Sequence, residues 1–494
     1  MAEADSFRSL LPEEPSWDAI KKNCGKYTKW IIGQLRAGLV VLREEVMPSR
    51  KVGHGIRPLA FWGPTERVVY RAIVEYIMRD EKPLQRDANA YLSFVQAPID
   101  YAWSAGGSGF LTVGDSPVKH VVKSDITAFY QYIDHDILAR ELLARTGKHE
   151  AIRSLMEILQ ECQGRKFGIP QLLDASDVLS EAYADIIERD LLRQGFPTWR
   201  FNDDFRIACE SYEHALDAIE ALDRSSRSVG LTLGEHKTVT PTFFGYAFEV
   251  FGLSVSDLIP RPGEGEPEFT VMDYMEEALE EDVEEAESVL SNSGVSSNAA
   301  EDPPGWIDLR SASAADVRKI RRAINGISRG GSDAAIDRAQ SLVTYLPSLT
   351  PTVTRYLISR FSAQPVRVSA CIDSVLEHVF LSDWQKLWMA HAVRECKLLS
   401  GSSPGNHEGR RQLFTEIFYS DRSPVLRAEI GLALAQESHL EISALDAQFR
   451  RAPGVLGTWY LAAVAHLGPG NAGTAQARQF QAMRDSVDLA KFIL

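Results

Sequence analysis

Cysteine is scarce and never paired in spacing: Cys24, Cys162, Cys209, Cys371 and Cys396 are scattered over 494 residues with no CxxC. That excludes a disulfide scaffold and a structural zinc site of ordinary spacing, and fits reduced thiols in a cytoplasm. Long apolar runs are absent too. No stretch of about 18 apolar residues occurs, so neither a membrane span nor a membrane partner is expected. Met1 to Trp17 carries acids and no apolar core, so it does not read as a secretory signal, and a cytoplasmic location is expected. Low-complexity repetition does not run through the chain: 45% hydrophobic, 9% aromatic and 24% charged residues is the usage of a folded globular protein. At about 150 residues per domain, the length allows roughly three units.

A surplus of positive charge is also missing, since the net charge is −15. Its distribution matters more than its sum. Residues 264–302 hold 14 acids and no Lys or Arg, which leaves −1 for everything else. Lys21 to Arg71 holds 11 basic residues against three acids, a local excess able to carry a phosphate-binding surface whatever the global balance.

What is present falls into four stretches. Residues 1–19 form an N-terminal extension. Residues 20–257 interleave helical and strand patterns and read as one α+β or α/β domain. Within it, 20–46 has helical apolar spacing, and Arg50-Lys51-Val52-Gly53-His54-Gly55-Ile56-Arg57 predicts a short hairpin. Residues 64–79 predict a helix, Val121-Val122 a strand ending at Asp125, and 133–160 mostly helix. Gly168-Ile169-Pro170 forces a break before helical spacing resumes over 176–192. Trp199 to Cys209 alternates, with Phe205, Ile207 and Cys209 on one face, and is interrupted at Asn202-Asp203-Asp204, a strand–turn–strand signal. A helix is expected from Tyr212 toward Gly230, then strand-like sequence to about 257. Residues 258–309 predict an acidic linker with one helix inside it. Residues 310–494 read as all-α, with stripes Val353/Leu357/Phe361, Val368/Ile372/Val375/Val379 and Leu426/Ile430/Leu434. Helices of that length joined by short turns predict either a HEAT-like stack or a helical bundle.

Asp203-Asp204 is the one Asp-Asp pair in the chain. Adjacent carboxylates repel, and a pair of hard divalent cations removes the penalty by taking their oxygens as ligands. A solvated turn would account for the pair equally well. Asp125 shifts the balance: it ends an apolar strand, is followed by Ile126-Thr127-Ala128-Phe129-Tyr130, and precedes the pair by 78 residues. A strand-end aspartate, an aromatic five residues on and a later strand–turn–strand Asp-Asp together resemble the palm of reverse transcriptases. Phe201-Asn202-Asp203-Asp204 stands where that family usually has Tyr-x-Asp-Asp, and the phenylalanine loses a hydroxyl but no ligand.

The resemblance spans about residues 20–250 and implies a right-hand polymerase domain of α+β class, fingers and palm, followed by the all-α region. It implies two Mg²⁺ ions, with Mn²⁺ as the alternative, held by Asp125, Asp203 and the Ile126 carbonyl, with Asp204 as second ligand or outer carboxylate. Tyr130 stands where the family carries its sugar-selecting aromatic, and Gln171 where a glutamine contacts nucleotide and template. The family usually follows that glutamine with glycine; here Leu172 stands instead. Lys237, in the segment after Gly230-Leu231-Thr232-Leu233, stands where a lysine approaches the triphosphate and can protonate the leaving group. Lys51 and Arg57 stand on the fingers hairpin, where they would clamp phosphate.

Beyond residue 310 there is no carboxylate or Cys/His spacing of a ribonuclease H, integrase or endonuclease domain. A polymerase domain fused to a helical region resembles the bacterial abortive-infection and unknown-group antiphage reverse transcriptases. That implies DNA synthesis from dNTPs, RNA-templated or template-independent, with a protein hydroxyl as one candidate primer, RNA or single-stranded DNA as partner, and a homo-oligomer. Two alternatives stay open: a retron-type enzyme with a structured non-coding RNA partner, and a degenerate palm that binds nucleic acid while the helical half recruits a partner.

Overall fold

The computed structural model describes residues 10–52, 55–106, 116–251, 283–296, 303, 305–377, 380–469 and 474–493. Most of the acidic stretch expected as a linker lies outside the described residues, as do Gly53 and His54 of the hairpin turn and Val379 of the second stripe. Among the described residues no helix is long and apolar enough to cross a membrane. The chain divides into two compact units, 1–67 with 276–494 and 68–275. The N-terminal residues thus group with the helical region, where the sequence reading joined 20–257 into one domain.

The first unit opens with helices Trp17–Lys22 and Cys24–Ala37. The helical spacing expected through residue 46 stops at Gly38, whose φ of 89° lies in the left-handed region that glycine adopts without strain. Strands β1 (Glu45–Arg50) and β2 (Ile56–Phe61) then form the expected antiparallel hairpin, with Ser49 opposite Arg57. Aromatic contacts explain why this segment belongs with the helices. Tyr27 stacks on Trp30 at 5.6 Å between centroids and meets Phe492 edge-on at 5.3 Å. Phe61 meets Trp459 at 4.9 Å, and the Trp384 and Trp388 indoles both donate to the Leu10 carbonyl.

The helical region is a stack. Helices Ala314–Gly330, Thr350–Phe361, Asp383–Glu395, Pro424–Gln436 and Gly457–Leu467 form one row, each packed against the next. Between them, Ala339–Tyr345 packs on Pro365–Leu376, and Ile442–Phe449 on Ala475–Asp485. This repeat of helix on next-but-one helix is the solenoid pattern rather than that of a bundle. Val353, Leu357, Val368, Ile372, Val375, Leu426, Ile430 and Leu434 are all buried, as their spacing required.

Glu14 is buried in this unit, 4% exposed, with Oε2 lacking a partner. Burial pushes its carboxyl up to about 7 despite the Ser16 hydroxyl and the Arg67 charge. A folded-state value above that of the unfolded chain means unfolding releases a proton, so this residue's contribution falls as pH rises from about 4.5 to about 7. Glu14→Gln is therefore expected to raise the melting temperature near pH 8, by an amount equivalent to roughly 1–3 kcal/mol, and to leave it nearly unchanged near pH 4.5. Thermal unfolding at the two pH values checks this.

The second unit is built on a three-stranded antiparallel sheet in the order β3 (His120–Asp125), β5 (Asp204–Cys209), β4 (Thr198–Phe201). One face carries Val121 and Ala208, packed with Ile99, Ala102, Phe243 and Tyr246 from helices Ala88–Gly106 and Phe243–Val250. Helix Tyr212–Ser228 packs on β3 and β5, and helix Asp174–Arg193 on β4. Gly147, at φ 66°, splits the helix expected over 133–160 into His135–Thr146 and His149–Gln163. Residues 243–250, expected as strand, are helical, with the Thr242 hydroxyl capping the N-terminus by accepting from Gly245 N–H. A mixed palm-and-fingers domain with a helical C-terminal region is thus the architecture.

Candidate active site: a carboxylate trio at the sheet edge

Strand register creates the site. Asp125 is the last residue of β3 and Asp204 the first of β5, and the two are direct cross-strand partners. Asp203 sits beside them in the two-residue turn from β4 to β5. That turn needs a residue with positive φ, and Asn202 supplies it at 57°, a conformation asparagine tolerates better than most side chains. Carboxylate oxygens of Asp125, Asp203 and Asp204 all lie within 4.8 Å of one another.

Like charges this close in a half-buried place cannot all ionise cheaply. Burial, then the Asp203 and Asp204 carboxylates, push Asp125 up to about 8, against a lesser pull from Lys237. Burial, then Asp203, push Asp204 up to about 6, opposed by Arg206 and Lys237. Three oxygen donors with no nitrogen or sulfur among them suit a hard divalent cation, whose charge would reverse this repulsion. The trio can hold a metal ion.

The other expected residues fall as follows. Residues 231–242 run along the outer edge of β3: Lys123 and Val239 exchange backbone hydrogen bonds, and Gly234 N–H donates to the Asp125 carbonyl at 2.8 Å. A Cβ on Gly234 would sit 3.5 Å from the Asp125 carboxylate, an ordinary contact, so the segment lies directly against the aspartate. It brings Lys237 Nζ within 3.5 Å of Asp125 Oδ2. Ile126 is buried, and its N–H donates to the Asp203 carbonyl at 3.2 Å. Ile169 N–H donates to the Tyr130 carbonyl, which sets the Gly168–Gln171 break against helix Phe129–Tyr132. Gln171 is half-buried two residues further on. Leu172 has φ 68°, so the position where the family favours glycine is left-handed here and leucine bears the strain. Lys51 and Arg57 lie on the β1–β2 hairpin of the first unit.

The sequence reading missed Arg86 and Asp177. Arg86, with its side chain 13% exposed, donates to the Tyr130 hydroxyl at 3.0 Å and to Asn202 Oδ1 at 2.9 Å, and pairs with Asp177 at 3.0 Å. No periodicity flags Arg86, because its partners lie 44 to 116 residues away.

Comparison with known proteins agrees with the palm geometry. Residues 70–257 match the sequence profile of the family described as reverse transcriptase (RNA-dependent DNA polymerase). No curated protein matches the chain. Among solved structures, telomerase from Candida tropicalis with a TWJ fragment of telomeric RNA is similar at 12% identity and TM-score 0.32, covering 74% of this chain and 67% of that one. The corresponding Candida albicans telomerase is similar at 9% identity and TM-score 0.31, covering 80% of this chain and 62% of that one. Likeness at that level carries no weight for the fold. The family match and the register-paired aspartates within it do: residues 70–257 form a reverse transcriptase domain, of the RNA-directed DNA polymerase class.

Proposed function

We propose that the chain joins dNTPs to a primer hydroxyl by two-metal nucleotidyl transfer, on an RNA template or without one. The observation that carries this reading is the trio of aspartates with carboxylate oxygens within 4.8 Å of one another on paired strands. The primer oxygen would attack the α-phosphorus, the bond to the bridging oxygen of the β-phosphate would break, and pyrophosphate would leave. When bound at Asp125, Asp203, Asp204 and the Ile126 carbonyl, Mg²⁺, or Mn²⁺ in its place, would supply charge neutralisation and activation of the hydroxyl. Lys237 would offer its ammonium to the triphosphate and a proton to the leaving group. Tyr130 would lie beneath the sugar, and Gln171 would contact nucleotide or template. Lys51 and Arg57 would bind phosphate from the hairpin.

The acid trio argues against a retired palm, which would have no reason to keep three repelling carboxylates together. A stacked helical region after the polymerase domain supports, by resemblance, a role in antiphage defence with RNA or single-stranded DNA as partner. Should a protein hydroxyl prime synthesis from the helical region, Tyr345 and Tyr419 are exposed, whereas Tyr356 and Tyr460 are in the core. Incubating the purified chain with each labelled dNTP and Mg²⁺, with and without RNA template, tests the reading. Product is expected, and its persistence on protein after denaturation reports protein priming. If no dNTP is incorporated under any template or metal condition, the polymerase reading fails.

A further inference from the structure

Arg86, Asp177 and Asn202, behind the aspartate turn, have no role in the chemistry above, yet they join two parts of the site. Arg86 Nη1 donates to the Tyr130 hydroxyl at 3.0 Å, and Nη2 donates to Asn202 Oδ1 at 2.9 Å, to Ser180 Oγ at 3.1 Å and to the Asp177 carbonyl at 3.2 Å. The Tyr130 hydroxyl donates its own proton to Asp177 Oδ1 at 2.7 Å. Asn202 Nδ2 then donates to Asp203 Oδ1 at 2.7 Å. The turn is braced from outside as well: Arg200, with its side chain 3% exposed and paired to Glu181, donates to the Asn202 carbonyl at 3.1 Å. An unbroken run of hydrogen bonds therefore leads from the aromatic at position 130, through one guanidinium and one amide, to a carboxylate of the trio.

Each component suits that purpose. A guanidinium is a planar fork that fixes two acceptors at a set angle, which a lysine ammonium cannot do. Asn202 holds the positive φ the turn requires and offers both an acceptor and a donor, one for Arg86 and one for Asp203. Asp177, 8% exposed, balances the buried guanidinium charge and fixes the direction of the tyrosine proton.

We propose that Arg86 and Asn202 are positioning residues that tie the sugar-selecting ring of Tyr130 to the Asp203 carboxylate, so that discrimination between deoxy- and ribonucleotides and the rate of transfer are set by one hydrogen-bonded unit. The inference rests on the polymerase reading and deepens it. A ring that excludes a 2′-hydroxyl does so only if it cannot retreat, and its hydroxyl, beside the edge-on contact with Phe129, is a polar handle by which the fold holds it.

The test measures kcat and KM for a dNTP and the matching rNTP in the full chain and in Tyr130→Phe, Arg86→Lys and Asn202→Gly. Tyr130→Phe keeps the ring and removes the handle, and Asn202→Gly keeps the positive φ and removes the bridge. Arg86→Lys is expected to lower the dNTP/rNTP preference about tenfold or more, and Tyr130→Phe to lower it in the same direction. Asn202→Gly is expected to lower kcat about tenfold with a smaller change in KM, and the Tyr130→Phe/Asn202→Gly double variant to lose less than the product of the single losses. Should Arg86→Lys fail to fold, the other two variants carry the test. Wild-type sugar preference in every folded variant, with only the melting temperature altered, would overturn the proposal while leaving the polymerase reading intact. A wild-type chain that incorporates no nucleotide would remove both.

Discussion

Asp203→Asn is expected to cut nucleotide incorporation on the order of 10³-fold, and Asp125→Asn by a similar factor. Asparagine keeps shape and one oxygen but loses the charge that a divalent cation needs. Asp204, assigned as second ligand or outer carboxylate, is expected to cost less, roughly 10–10²-fold. The Asp125 and Asp204 substitutions should act on stability in the opposite direction. Without divalent cation, burial and mutual repulsion raise Asp125 and Asp204, so removing one charge relieves a penalty built into the fold. The Asp125→Asn chain should therefore melt above wild type in chelator. Millimolar Mg²⁺ should raise the wild-type melting temperature more than that of the variant. Activity lost with stability gained separates a functional carboxylate from a structural one. Equal melting of both chains with and without Mg²⁺ would contradict the metal assignment even where activity falls.

How far the amino-acid sequence discloses this site depends on the range of the interactions involved. The β4–β5 hairpin was legible because its signal is local: alternation in Phe205, Ile207 and Cys209 plus a turn residue able to take positive φ. Asp125 was legible as the end of an apolar strand, and register then did what no local pattern could display, setting it opposite Asp204. Residues 243–250 read as strand, not helix, because Phe-Phe-Gly-Tyr-Ala-Phe is apolar all round. Phe243 and Tyr246 reach the core while Phe244 remains 47% exposed, so no helical stripe stands out. Sequence order alone joins the N-terminal segment to the palm, because its binding to the helical region runs through Leu10 with Trp384 and Trp388, and Tyr27 with Phe492. Those contacts are separated by most of the chain and have no local signature. Arg86 escaped for the same reason.

The largest expected effect on stability lies in the helical stack, at Glu429. Fully buried on helix Pro424–Gln436, it accepts from Arg394 Nε at 2.7 Å on one neighbouring helix and from Trp459 Nε1 at 2.8 Å on the other. His391 Nδ1 lies 3.3 Å from the same oxygen as Arg394. One carboxylate thus joins three successive helices of a row. Although burial opposes ionisation, Arg394 and His391 hold Glu429 down at about 2. Glu429→Ala leaves the Arg394 Nε–H and an indole N–H without this acceptor, Arg394 Nη1 keeping only the half-exposed Glu395 at 3.0 Å, and is expected to cost about 3–5 kcal/mol, a melting shift on the order of 10 °C. Removing the partner charge as well, in Glu429→Leu with Arg394→Met, should recover much of that loss, because apolar packing often replaces a buried ion pair at little net cost. The pH dependence follows from the depressed carboxyl. Its contribution is present above the unfolded chain's value near 4.5 and is lost as pH falls toward 2, so wild type and Glu429→Ala should converge in melting temperature on acidification. A difference that stays constant from about pH 7 to about pH 3 would mean that the helices are held by the packing around Glu429 rather than by its charge.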